Sequence, residues 1–332
     1  MSLAGTDDVA EAAIRKWAAM WRSITLSTLE HTYLPYYSYI RYLDLEGLRE
    51  LLRELYINGD KGSFFTPEMD DHLAHDIEGL GINNLHRRAL HEASSQMMPG
   101  VAKWIRSCKA LQRLELRRFM DDTLLLAQIL PEKSLRLSSL SLAGYSIQNA
   151  HLFHEALHHQ QSLQYLDLNG IGSDQPEHNE PLFQAISKLN NLRELDLYGV
   201  ANGFTADDVM ALTHFLPHLE KLLTGGKYFR DNVWNAFIRL PKLKNLMILG
   251  RSEFSAKGIL DFINQLGPGN RGFSLSILDP TSDTDIDDMT AHYIRDVPIS
   301  KFDGLFDFAT VSGGYFVFSL SSMQCWILIL IN

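Results

Sequence analysis

His154, Glu155 and His158 spell H-E-A-L-H, the formal pattern of a zinc-hydrolase helix, in which two histidines one turn apart hold the metal and the glutamate acts as base. Such a site needs a third protein ligand. The nearest candidates, His178 and Glu180, lie across a loop rather than on a partner helix. A zinc-dependent hydrolase using His154, Glu155 and His158 is therefore the alternative to a plain amphipathic helix over Asn149 to His159, which the apolar spacing already explains. His72 with His75, and His86 with His91, have no cysteine or third ligand at zinc spacing and read as surface residues. Gly225-Gly226-Lys227 imitates the end of a phosphate loop, but Lys221 stands where the first glycine belongs and Tyr228 where a magnesium-binding hydroxyl belongs, so it reads as a turn. The acidic run from Asp279 to Asp288 lacks the glycine and the terminal glutamate of a calcium loop and reads as a solvated cap on a helix over Met289 to Arg295. The expectation is a chain that is not an enzyme and takes no metal or other cofactor.

The elements that position these residues repeat. LQRLEL begins at Leu111, LSSLSL at Leu137, LQYLDL at Leu163, LRELDL at Leu192, LEKLLT at Leu219 and LKNLMI at Leu243, in steps of 26, 26, 29, 27 and 24 residues. A period of this length carrying L-x-x-L-x-L marks leucine-rich repeats, each supplying one strand and one helix. The predicted fold class is α/β: a leucine-rich-repeat solenoid, a curved array of strand-helix units, with a short N-terminal helical segment. The last two apolar residues of each phrase point inward, which assigns Leu114, Leu116, Leu140, Leu142, Leu166, Leu168, Leu195, Leu197, Leu222, Leu246 and Ile248 to the core. Helices are predicted on the convex side over Asn149 to His159, Leu182 to Leu189, Thr205 to Phe215, Asp231 to Leu240 and Ser255 to Leu266, with Thr205 and Asp208 as a capping pair. The ninth slot, where many such repeats carry Asn or Cys, holds Phe119, Tyr145, Ile171, Val200 and Lys227, which predicts apolar packing at the turns in place of a polar ladder.

The alternate residues of each phrase face the concave side. They are Tyr42, Asp44, Arg113, Glu115, Arg117, Ser139, Ser141, Tyr165, Asp167, Asn169, Glu194, Asp196, Tyr198, Lys221, Asn245 and Met247. Tyr42 and Asp44 at one end, and Tyr165, Asp167, Glu194, Asp196 and Tyr198 in the middle, combine aromatic contact area with carboxylates, a composition that suits a protein target carrying basic groups. Arrays of this kind bind partners along one face, so the expected function is a protein-protein interaction module. A structural scaffold is the plainer alternative.

Composition narrows the partners and the compartment. A formal charge of −10, with no Lys/Arg run, speaks against nucleic acid. The two cysteines, Cys108 and Cys325, form no disulfide framework, no N-x-S/T sequon occurs, and the first sixteen residues carry acids but no long apolar run. These features predict an intracellular protein, cytoplasmic or nuclear. Residues 1–39 read as the N-terminal helical segment, with a helix over Val9 to Trp21; 40–110 as a first strand, IRYLDL, followed by irregular helical repeats with room for two unseen ones; 111–300 as regular repeats; and 301–332 as an apolar C-terminal tail. The run Tyr315 to Ile331 admits three readings: a closing strand pair, which is preferred, a membrane anchor, or sequence foreign to the fold.

The stretch KWAAMWRSITLSTLEHTYLPYYSYIRYLDL, Lys16 to Leu45, resembles the segment after the F-box in fungal F-box/leucine-rich-repeat proteins, where a W-R-S-I-T-L-like stretch leads into the first repeat. The resemblance implies a ubiquitin ligase substrate receptor: the F-box docks on the adaptor of a cullin-based ligase and the repeats hold the target. It places Trp17 and Trp21 at the adaptor contact. The residues before Trp17 do not match an L-P-x-E-I-type opening helix, so most of the F-box is missing.

Overall fold

In the computed structural model, the described residues are 15–16, 18–24, 36–46, 101–117, 122–173, 175–250, 252–278, 286, 289–290, 292–294, 296 and 304–309. Its strands are β1 (Tyr42–Asp44), β2 (Arg113–Arg117), β3 (Ser139–Ser146), β4 (Tyr165–Ile171), β5 (Glu194–Asp196), β6 (Lys221–Gly225), β7 (Phe229–Arg230), β8 (Asn245–Leu249), β9 (Ser252–Glu253), β10 (Ser274–Leu278) and β11 (Leu305–Ala309). Nine of them form one parallel sheet in the order β1-β2-β3-β4-β5-β6-β8-β10-β11, while β7 and β9 pair separately. Helices alternate with the strands: Asp122–Ile129, His151–Leu157, Pro176–Ile186, Ala206–Thr213, Trp234–Phe237 and Ala256–Gln265. The protein is a mixed α/β fold.

The alternation of each phrase decides which face is dry. All eleven residues assigned to the core are buried, joined in one cluster by Leu125, Phe153, Leu182, Val209, Phe237 and Phe262 from the helices. Burying a leucine or phenylalanine side chain contributes about 1.5–3 kcal/mol, so this one face carries most of the stabilisation. The first residue of a phrase closes a turn. The N–H groups of Leu111, Leu163, Leu192, Leu219 and Leu243 each bond the carbonyl three residues earlier, at 2.9–3.2 Å. At Leu137 this bond is replaced. The buried Gln160 of the following repeat accepts from Leu137 N–H (3.0 Å) and donates to the carbonyls of Leu130 (2.7 Å) and Leu135 (3.0 Å). Asn270 does the same work further along, bonding the carbonyls of Leu240 and Leu243. Two turns are thus tied by a buried side-chain amide, Gln160 and Asn270, whereas Leu189, Leu216 and Leu240 stand three residues before the phrases at Leu192, Leu219 and Leu243.

Several expectations are corrected. Tyr42 pairs directly with Arg113 and Asp44 with Glu115, so β1 and β2 are neighbours in the sheet, while the irregular repeats expected between them fall largely on residues 47–100, outside the described ones. The sheet also runs beyond the last phrase: Phe273 leads into β10, and β11 extends it inside the segment expected as an apolar tail. The helix over Leu182 to Leu189 instead begins at Pro176 and carries Pro181 within it. At the ninth slot Tyr145 and Val200 are buried as expected, but Ile171 is 71% exposed and Lys227 is also exposed. Ser139 and Ser141 are buried although they lie on the open face, because small side chains there sit below the level of their larger neighbours. The expected capping pair forms: Thr205 Oγ1 accepts from Asp208 N–H at 3.2 Å, and the Asp208 carboxylate accepts from Thr205 N–H at 2.8 Å. The paired histidines at 72–75 and 86–91, Phe119, Trp17 and the run 315–331 lie outside the described residues.

Candidate partner-binding face

Parallel, in-register pairing lines up the open-face residues in rows that cross the strands. One row reads Tyr42, Arg113, Ser139, Tyr165, Glu194, Lys221, Asn245 and Ser274. The next reads Asp44, Glu115, Ser141, Asp167 and Asp196, then Leu223, Met247 and Ser276. Neighbouring strands stand about 4.8 Å apart, so four carboxylates occupy five consecutive positions along roughly 19 Å. This second row is the most strongly charged feature of the open face.

Cations answer only part of it. Arg117 bridges Glu46 at 3.2 Å and Glu115 at 3.5 Å, and Lys221 bridges Glu194 at 3.1 Å. Asp167 and Asp196 have neutral partners: Ser141 Oγ donates to Asp167 Oδ2 at 2.7 Å, and Tyr198 N–H donates to Asp196 Oδ1 at 2.9 Å. The two sit directly opposite each other on β4 and β5. Burial, and then the facing Asp167 charge, push the Asp196 carboxyl up to about 7; burial also raises Asp167, against the lowering pull of the Ser141 hydroxyl. Glu115 adds to the rise of Asp167 and the Arg117 guanidinium pulls it back, so burial disfavours the charged form of both groups and Arg117 already offsets part of the cost at Asp167.

The aromatic residues frame this row. Tyr165 is half-buried beside Asp167, and its hydroxyl is pushed up by burial and then by Asp167 and Asp196. Tyr198, 49% exposed, follows Asp196 at the end of β5. Tyr42 is 51% exposed with the Arg113 guanidinium 5.6 Å from its ring centre, and its hydroxyl is pushed up to about 12 by burial and then by Glu115 and Asp44. Asp44 accepts the N–H of Glu46 at 2.8 Å. Tyr42 and Asp44 lie three strands from Tyr165 and Asp167, and Glu115 and Ser141 join the two groups. Those two residues were assigned to the correct face from period two alone; their role as links emerges only from the register.

The other candidates fall elsewhere. Trp21 is buried, its ring edge-on to Trp104 with centres 6.1 Å apart, so its surface is used within the fold. In H-E-A-L-H, His154 is buried and its Nε2 is hydrogen-bonded to the Tyr145 hydroxyl, whereas His158 is exposed against His159. The two histidines face different surroundings, and no third histidine, cysteine or carboxylate joins them among the described residues. Gly225 ends β6 and Lys227 is exposed in the turn that follows. Among the described residues, no helix is long and apolar enough to cross a membrane. No family model matches this chain, and no curated protein matches it in sequence.

Proposed function

We propose that this protein is a non-catalytic interaction module, a leucine-rich-repeat solenoid whose concave side is the open sheet face, and that this face holds a basic segment of a protein target. The observation that carries the reading is the acidic row, above all Asp167 and Asp196, which face each other and, among the described residues, are hydrogen-bonded to neutral groups, with Arg117 acting on Asp167 alone. Like charges placed directly opposite across a sheet cost stability. A lysine or arginine from a partner offsets that cost, and Tyr165 and Tyr198 supply contact area on either side. The intracellular setting expected from the sequence, cytoplasm or nucleus, belongs to the same proposal.

A panel of immobilised peptides, matched in length and varied in charge, tests it. Basic peptides should bind and acidic or neutral ones should not; indifference to charge would contradict the reading. The more specific form, a substrate receptor of a cullin-based ubiquitin ligase, rests on the resemblance of Lys16 to Leu45. Its test is direct mixing of the purified chain with the purified adaptor, and complex formation on gel filtration is the expected result. Because Trp21 is packed on Trp104, that contact would have to use neighbouring residues.

A further inference from the structure

At the C-terminal ends of β3, β4 and β5 lies an open cleft of about 470 Å³. Its size is within the range of ligand sites, roughly 300–1,000 Å³. The floor is made by Gly170 and Gly199, and both must be glycine for reasons of packing. A Cβ on Gly170 would lie 1.8 Å from the Tyr145 carbonyl oxygen, and Gly199 has φ +73° with the Gly170 oxygen 2.2 Å from where its Cβ would be. The floor is therefore bare backbone. The rim carries three exposed side-chain amides, Gln148, Gln175 and Asn202, and the highly exposed Ile171. Among the described residues none of the three amides bonds to the protein. The Ser173 hydroxyl is already engaged by His178 Nδ1 and the Gln175 N–H. Among the described residues, those that line the cleft are uncharged.

Each free amide offers donors and an acceptor together, which is what an extended peptide group needs from a partner. The cleft also continues the acidic face: Gly170 follows Asn169 on β4, and Gly199 follows Tyr198 at the end of β5. We infer that this cleft is a second subsite on the same partner. It takes an extended stretch of main chain adjoining the basic segment, held through hydrogen bonds to Gln148, Gln175 and Asn202. The inference rests on the acidic face binding a basic segment, as proposed above.

The test uses fluorescence anisotropy on the full chain with three labelled probes: a short Arg-Lys peptide, the same peptide with Gly-Ser-Asn-Gly-Ser added at its N-terminus, and the same with that addition at its C-terminus. One of the two extended probes should bind about tenfold more tightly than the unextended one, a gain of about 1.4 kcal/mol. A Gln148→Ala/Asn202→Ala variant should lose that gain while keeping the affinity for the unextended probe and an unchanged melting curve. Equal affinity of all three probes would overturn the cleft inference and leave the acidic-face reading standing. A gain that survives the double variant would also overturn it. Failure of every probe to bind would overturn both.

Discussion

Asp167 on β4 and Asp196 on β5 face each other in register, each bonded to a neutral group and neither to a cation. Folding places these two like charges side by side, which is why burial and mutual repulsion hold Asp196 up to about 7. Sites that are unfavourable in the free protein are where a partner can contribute most, since its charge relieves a strain the fold already carries.

The cost should appear as a pH dependence of stability. Above about pH 7, Asp196 is charged in both states and the full penalty is present. As pH falls through 7 the folded state takes up its proton first, so this group's contribution to stability rises until the unfolded carboxylate, with its ordinary value near 3.9, is protonated too. Asp196→Asn should therefore stabilise the protein at pH 8 by up to about 1 kcal/mol and flatten the profile between about pH 4 and 7. Urea midpoints across that range measure it; a variant less stable than the parent at pH 8 would contradict the account.

His154 acts with the opposite sign. Burial, and then the neighbouring His151, hold its imidazole down to about 4, so the folded state refuses a proton that the unfolded chain accepts near 6.5. Stability from this residue is intact above 6.5 and falls as pH drops toward 4. Tyr145→Phe leaves His154 Nε2 buried without its partner and should cost about 1–3 kcal/mol at pH 7, read from thermal or urea unfolding. No loss would mean that the bond between Tyr145 and His154 adds nothing.

Gln160 is a stronger test of how the repeats are tied together. Its side chain satisfies Leu137 N–H and the carbonyls of Leu130 and Leu135. Gln160→Ala should cost about 2–4 kcal/mol, since buried groups left unpaired cost about 1–3 kcal/mol each and water can reach some of them. Gln160→Glu, which buries a carboxylate against the Leu130 and Leu135 carbonyl oxygens, should cost at least as much as Gln160→Ala.

Gly258 inverts a common rule. Glycine to alanine inside a helix ordinarily stabilises by roughly 0.5–1 kcal/mol. Here a Cβ would lie 2.1 Å from Asp231 Oδ1, whose carboxylate accepts from Ser255 N–H at 3.0 Å, from the Ser255 hydroxyl at 2.5 Å and from the Trp234 indole N–H at 3.3 Å. Gly258→Ala should therefore destabilise, by about 1–3 kcal/mol, and a stabilised variant would show that the carboxylate moves aside freely.

What could be read in advance follows from where the information lies. The leucine phrase is local, so the strands from β2 to β6 and β8, with their inward residues, follow from spacing alone. The phrase at β10 escaped because Gly272 stands in its first slot, as the pairing of Ser274 with Asn245 shows, and Pro176 and Pro181 disguised a helix that begins at the first of them. The turn bonds of Gln160 and Asn270 were invisible because each side chain serves the backbone of the preceding repeat, some 23–30 residues away. At the site, period two put Tyr165, Asp167, Glu194, Asp196 and Tyr198 on one face. That Asp167 opposes Asp196, and that Glu115 and Ser141 link them to Tyr42 and Asp44, depends on the register between strands, which no single phrase contains.

The most direct test of the account is the affinity of a labelled Arg-Lys peptide for the parent and for the Asp167→Asn/Asp196→Asn variant, measured at pH 6 and pH 8 and at low and high salt. Binding should strengthen from pH 6 to pH 8 as Asp196 loses its proton, weaken as salt screens the row, and fall at least tenfold in the variant, the loss of about 1.4 kcal/mol or more. Equal affinity of parent and variant at both pH values would contradict the claim that this face is built for a basic partner.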